Sequence, residues 1–170
     1  MTYLLSDIFG DTAALRRLAA ELGTEVIAPY EGRQGSEDDA YRHFLAQGGI
    51  DGYLELARRQ LPGEPCRLVG FSAGAAVAWL LAAEGRASEA LCFYGGQIRH
   101  HPQLRPACEV SFVWPVAEDH FSVPELVAKL QGPGLHHHQT QGRHGFMNPL
   151  SKGHEPELAR HWQGWLRERT

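Results

Sequence analysis

The chain of 170 residues has no apolar run long enough to cross a bilayer. Its first residues, Met1-Thr2-Tyr3-Leu4-Leu5-Ser6-Asp7, hold an apolar run too short for a secretory signal, and no basic residues precede it. Blocks of like charge are missing as well. Acids and bases are interspersed, and the formal net charge is −4, which offers nothing to nucleic acid or to an anionic membrane. Cysteine is scarce. Cys66, Cys92 and Cys108 make an odd number with no C-x-x-C spacing, which excludes a disulfide framework and a thiolate metal knuckle. Reduced, mostly buried thiols in a cytoplasmic protein are expected. There is no internal repeat, low-complexity tail or linker, so residues 1–170 are expected to form one domain, large enough to bury about 70% of the unfolded chain's surface.

Short apolar runs alternate with amphipathic segments from end to end. The periodicity predicts strands near 2–6, 24–28, 66–71, 89–95, 109–114 and 135–140, and helices near 12–22, 36–46, 50–60, 73–84, 122–130 and 154–168. Gly10, Gly23, Pro29, Gly48-Gly49, Pro62-Gly63, Gly95-Gly96 and Gly132-Pro133-Gly134 punctuate the joins. Such alternation implies an α/β domain, a parallel sheet with helices on both faces linked by right-handed crossovers.

One segment carries chemistry. Gly70-Phe71-Ser72-Ala73-Gly74 lies between the apolar run Cys66-Arg67-Leu68-Val69 and the helix-like Ala75–Ala83. A strand, a sharp turn bearing serine and a helix make a nucleophile elbow, and the close approach of strand and helix demands small residues two before and two after the serine. Gly70 and Gly74 meet that demand. A nucleophilic serine needs a base, and the base needs an acid that fixes its tautomer. Asp119, in the loop after the fifth strand, and His144, in the Gly-rich loop Gly142-Arg143-His144-Gly145-Phe146 after the sixth, would both fall on the crevice side of the sheet. Glu118 is the neighbouring acid, expected to point away if Asp119 faces the crevice, and Ser122 suits a helix cap.

Ten histidines compete for notice. In His136-His137-His138 at most two rings can share a side of a strand, and no cysteine or carboxylate is spaced to complete a zinc site. His100-His101 are expected at the pocket rim. The oxyanion of a tetrahedral intermediate needs backbone N–H donors, expected from Ala73 and from Ile8 in the loop after the first strand. Phe71, Tyr94, Trp114, Phe146 and Asn148 are candidates for the pocket wall. No metal or organic cofactor is expected.

These residues resemble the dienelactone hydrolases. Ser6-Asp7-Ile8-Phe9-Gly10, Val26-Ile27-Ala28-Pro29-Tyr30, the elbow, Tyr94-Gly95-Gly96, Ala117-Glu118-Asp119-His120-Phe121-Ser122-Val123-Pro124 and His144-Gly145-Phe146 occur in that family's order, over nearly the whole chain. The resemblance implies a three-layer α/β-hydrolase fold with strand order 2-1-3-4-5-6, mostly parallel. It implies the triad Ser72, Asp119 and His144 and the donors Ile8 and Ala73. Three departures accompany it. Ser72 stands in place of a cysteine nucleophile, with Asp7 where the family's first-loop glutamate would be. Asn148 and Glu37 stand where its carboxylate-gripping arginines would be. The chain also starts where the family's third strand would, leaving the second strand as an exposed edge or a dimer surface. The expected activity is cleavage of a small ester, thioester or lactone through an acyl-enzyme, with neutral esters preferred over carboxylate-bearing substrates. The alternative is a non-catalytic protein of the same fold that binds a ligand or partner in the crevice.

Overall fold

The computed structural model describes residues 1–32 and 35–170. Its sheet has six strands, β1 (Thr2–Leu5), β2 (Glu25–Ile27), β3 (Cys66–Phe71), β4 (Ala87–Phe93), β5 (Glu109–Trp114) and β6 (Leu135–Gln139). They pair in parallel throughout, in the order β2-β1-β3-β4-β5-β6. The helices are α1 (Ala13–Leu22), α2 (Glu37–Ala46), α3 (Gly49–Gln60), α4 (Ala73–Ala83), α5 (Val123–Lys129) and α6 (Pro156–Arg167). Among the described residues no helix is long and apolar enough to cross a membrane.

Strand alternation sorts the core into two layers. Tyr3, Leu5, Leu68 and Phe112 face α3, α4 and α5, whereas Leu4, Val69, Phe71, Leu91 and Val113 face α1 and α6. Helix α4 is apolar on every side because it packs between the sheet and α3, and Ala73–Trp79, Leu81 and Ala82 are all buried. By contrast α1 and α6 bury one stripe each, Leu18 and Ala19 in α1 and Ala159, Trp162 and Leu166 in α6. Thr12, Ser36 and Ser122 cap α1, α2 and α5 by accepting a backbone N–H with their side-chain oxygens.

All twelve expected elements are present. The sheet order is the one the resemblance implied. β4 begins at Ala87, two residues before the expected start, and a 3-10 turn over Gly96–His100 follows it where no element was expected.

Candidate active site

The turn after β3 is tight for a visible steric reason. A Cβ on Gly70 would overlap the Gly74 carbonyl, and one on Gly74 would overlap the carbonyls of Leu5 and Ser6. Strand β3, helix α4 and the end of β1 therefore meet backbone to backbone. Ser72 is held at φ 51°, ψ −110°, a conformation that L residues rarely adopt, and its N–H is anchored on the Phe93 carbonyl at 2.9 Å. That strain lifts the Ser72 hydroxyl out of the turn and into a cleft of about 610 Å³ at the carboxyl ends of the strands.

His144 reaches the same cleft from the loop after β6. Its Nε2 is 2.9 Å from Ser72 Oγ, and its Nδ1 is 2.7 Å from Glu118 Oε1. The carboxylate on His144 is thus Glu118, and the expectation of Asp119 is corrected. The physical reason is that residues 115–122 form an irregular loop, in which the two-residue alternation of a strand does not operate. The Glu118 side chain is 9% exposed and His144 is 42% exposed. Asp119 is exposed on the cleft wall and makes no hydrogen bond to His144 among the described residues.

The first loop is organised by its aspartate. Asp7 Oδ1 accepts the Phe9 N–H at 2.9 Å, and its main-chain carbonyl accepts the Gly10 N–H at 3.1 Å. The Ile8 N–H between them donates to nothing among the described residues. The Ala73 N–H is equally unpartnered among the described residues, because it is the first N–H of α4 and no helical turn precedes it to supply a carbonyl. Ile8 and Ala73 both line the cleft beside Ser72. Asp7 Oδ2 accepts the Asn148 side-chain N–H at 2.7 Å, tying this loop to the loop of His144. Burial pushes the Asp7 carboxyl above its ordinary value, with the hydrogen bonds from Asn148 and Phe9 opposing the shift.

The remaining expectations separate by depth. Asp7 and Tyr94 line the cleft, and the Tyr94 ring lies 5.2 Å from that of His144. Phe71 and Asn148 line a neighbouring cavity instead. Trp114 and Phe146 are core residues, Trp114 stacked on Phe112 and Phe146 against Tyr94, and neither reaches the cleft. His100 and His101 also miss it, since the 3-10 turn presents Gly96, Gln97 and Arg99 in their place. The rings of β6 have structural partners. His136 meets Glu109, His137 lies between Trp114 and the Leu130 carbonyl, and His138 lies against Trp162 and Trp165.

Helix α2 contributes a cleft wall of which the resemblance had placed only Glu37. Glu37, Asp38, Tyr41 and Phe44 form one wall, and Glu37 accepts hydrogen bonds from the Ser151 hydroxyl and the Lys152 N–H of the His144 loop. Their i, i+1, i+4, i+7 spacing marks a helix face, but nothing in it distinguishes a cleft wall from an ordinary amphipathic surface.

No known family profile matches the chain. The uncharacterized protein YczH of Bacillus subtilis (strain 168) is 37% identical over 168 aligned residues, covering 89% of this chain and 82% of YczH. Among solved structures, a Klebsiella pneumoniae protein provisionally named a dienelactone hydrolase superposes with a TM-score of 0.68 at 16% identity, over 97% of this chain and 84% of that one. The thioesterase domain from the curacin biosynthetic pathway gives 0.59 at 10% identity, over 97% and 89%. The Bacillus cereus carboxylesterase gives 0.51 at 14% identity, over 100% and 88%. The chain therefore carries the α/β-hydrolase fold, similar to that of the dienelactone hydrolases, and belongs to one family with YczH of Bacillus subtilis.

Proposed function

We propose that this chain is a serine hydrolase that cleaves small esters, thioesters or lactones through an acyl-enzyme. The observation that carries the reading is the contiguous chain Ser72 Oγ, His144 Nε2, His144 Nδ1, Glu118 Oε1, with links of 2.9 and 2.7 Å at a strained strand-to-helix turn. Its carboxylate differs from the aspartate expected of the sequence. In this reading Ser72 Oγ attacks the acyl carbon as its proton passes to His144 Nε2, and the Glu118 carboxylate steadies the imidazolium through Nδ1–H. The N–H groups of Ile8 and Ala73 donate to the developing oxyanion, which supports the assignment because both are otherwise unpartnered among the described residues. The intermediate collapses by expelling the alcohol or thiol, which takes the proton from Nε2. Water, deprotonated by the same nitrogen, then attacks the acyl carbon, releasing the acid and returning the proton to Ser72.

Among the described residues of the cleft, Glu37, Asp38 and Asp119 accompany the lone arginine Arg99, which favours neutral over anionic acyl groups. Unpaired thiols at buried Cys66 and Cys92 support a cytoplasmic enzyme, and the edge position of β2 supports a homodimer built on that strand.

The test is labelling with a fluorophosphonate, followed by mass mapping and by assay on short-chain aryl esters. We expect one adduct on Ser72, and a loss of kcat on the order of 10⁴-fold or more in a folded Ser72→Ala variant. A folded Ser72→Ala protein with undiminished esterase activity overturns the proposal, and so does a native protein that is neither labelled nor active. The latter result would favour a non-catalytic binding role.

A further inference from the structure

A second cavity, of about 300 Å³, opens between α1 and α6 on the sheet face opposite α4. Leu15, Leu18, Phe71, Met147 and Ala159 give it an apolar wall, and Thr12, Asn148, His154 and Gln163 add polar groups. Asp7 and Tyr94 line both this cavity and the catalytic cleft, so they form the partition between the two. Arg17 of α1 and Arg160 of α6 line it from its exposed side.

The charges around this cavity are unequal in a way that selects a ligand. Its two carboxylates are already engaged. Glu21 pairs with Arg167 at 3.4 Å, and both oxygens of Asp7 accept hydrogen bonds, from the Phe9 N–H and from Asn148. The guanidiniums are not engaged to the same degree. Arg17 makes no ion pair among the described residues, and Arg160 has only a contact of 3.9 Å to Glu157, in which both side chains are mostly in water. An apolar wall, a pair of available guanidiniums outside and a buried acid at the inner end set the polarity of an occupant. Its anionic head belongs at the arginines and its hydrocarbon tail inside, away from water and away from Asp7.

We propose that the cavity between α1 and α6 is a binding site for a small aliphatic carboxylic acid, separate from the catalytic cleft. At about 30 Å³ for each non-hydrogen atom, as for liquid water, the volume suits a tail of hexanoate to octanoate length. Arg17 and Arg160 hold the carboxylate, while Leu15, Leu18 and Phe71 take the chain. The site stands whether or not Ser72 is a nucleophile, because none of its contacts involves Ser72, His144 or Glu118.

The experiment is a titration of the isotope-labelled protein with sodium octanoate, below its aggregation range, followed by amide shifts. We expect saturable shifts in Leu15–Leu18 and Ala159–Gln163, with the amides of α2 and of Gly96–Arg99 unmoved. Octanol should bind at least about tenfold more weakly, and the folded double variant Arg17→Ala, Arg160→Ala should weaken octanoate by a similar factor while leaving octanol unchanged. Shifts centred on the catalytic cleft would show the acid seated as an acyl group beside Ser72 and would overturn the proposal. Absence of saturable shifts, equal affinity for octanol and octanoate, or indifference to the double variant would each overturn it as well.

Discussion

Glu118, and not its neighbour Asp119, meets His144 Nδ1, and the two residues therefore make a sharp pair of variants. Glutamine at 118 could still bond Nδ1, but by donating its amide N–H, which leaves the proton on Nε2 and removes the acceptor that Ser72 needs. For the proposed triad, Glu118→Gln should lower kcat about 10³- to 10⁴-fold with KM little changed, whereas Asp119→Asn should stay within about threefold of the parent. Steady-state kinetics on one aryl ester decide it, and a larger loss for Asp119→Asn would restore the aspartate of the sequence expectation. Asp7 is the other residue whose setting has a measurable consequence. Its carboxyl is raised above the ordinary 3.8 by burial. Between 3.8 and the raised value the folded state binds more protons than the unfolded state. Stability is therefore fully favoured by this group below 3.8 and declines as pH rises through the window. Asp7→Asn should flatten that segment of the profile. Urea unfolding from pH 3.5 to 8 on both proteins measures it, and identical slopes would mean that Asp7 titrates normally.

Strand β6 shows what an element does to three identical residues. His136 is exposed beside Glu109, His138 leans on Trp162 and Trp165, and His137 alone bridges two buried groups. Its Nδ1 accepts the Trp114 indole N–H at 2.9 Å and its Nε2 donates to the Leu130 carbonyl at 2.7 Å, so the neutral tautomer fastens β6 to β5 and to the end of α5. Burial holds the His137 pKa below 6.5, with the bond to Leu130 opposing that shift. The stabilisation is accordingly present above 6.5 and is lost as pH falls through the folded-state value. At pH 7.5 His137→Phe should cost about 1–3 kcal/mol by orphaning the Trp114 N–H, and His136→Phe about 0.5 kcal/mol or less. The gap between the parent and His137→Phe should narrow at pH 5. Denaturant midpoints at the two pH values test this, and a gap that widens on acidification would refute the neutral bridge.

For the whole molecule, the three groups of the proposed triad come from the loops after β3, β5 and β6, strands that adjoin one another only through the sheet. The site therefore exists only while the sheet is intact from its centre to the β6 edge. Tryptophans sit in both core layers, Trp79 and Trp114 on one face and Trp162 and Trp165 on the other. Their fluorescence reports the collapse of either layer. If the domain unfolds as one unit, esterase activity and tryptophan fluorescence should disappear with the same urea midpoint and slope. Activity lost well before fluorescence would mean that β6 and the His144 loop open independently of the rest.

Much of this was legible in one dimension. The alternation of apolar runs and amphipathic segments located all twelve elements, because burial on one or both faces imprints its period on neighbouring residues. The elbow was legible for the same local reason. Gly70 and Gly74 are dictated by a backbone approach five residues long, and the strain on Ser72 follows from it. His144 could be singled out because its loop position follows from the order of elements. The sequence alone could not choose between Glu118 and Asp119, since both orientations of an irregular loop satisfy it and only the distance to His144 distinguishes them. Trp114 and Phe146 were equally undecided, because an aromatic at a strand end or in the loop of His144 reads the same whether it meets a cleft or a core. The α2 wall, the bond between Asp7 and Asn148 and the cavity between α1 and α6 are contacts between residues far apart in the chain. No local pattern encodes them, and they arise only when the crossovers bring those segments together over the sheet.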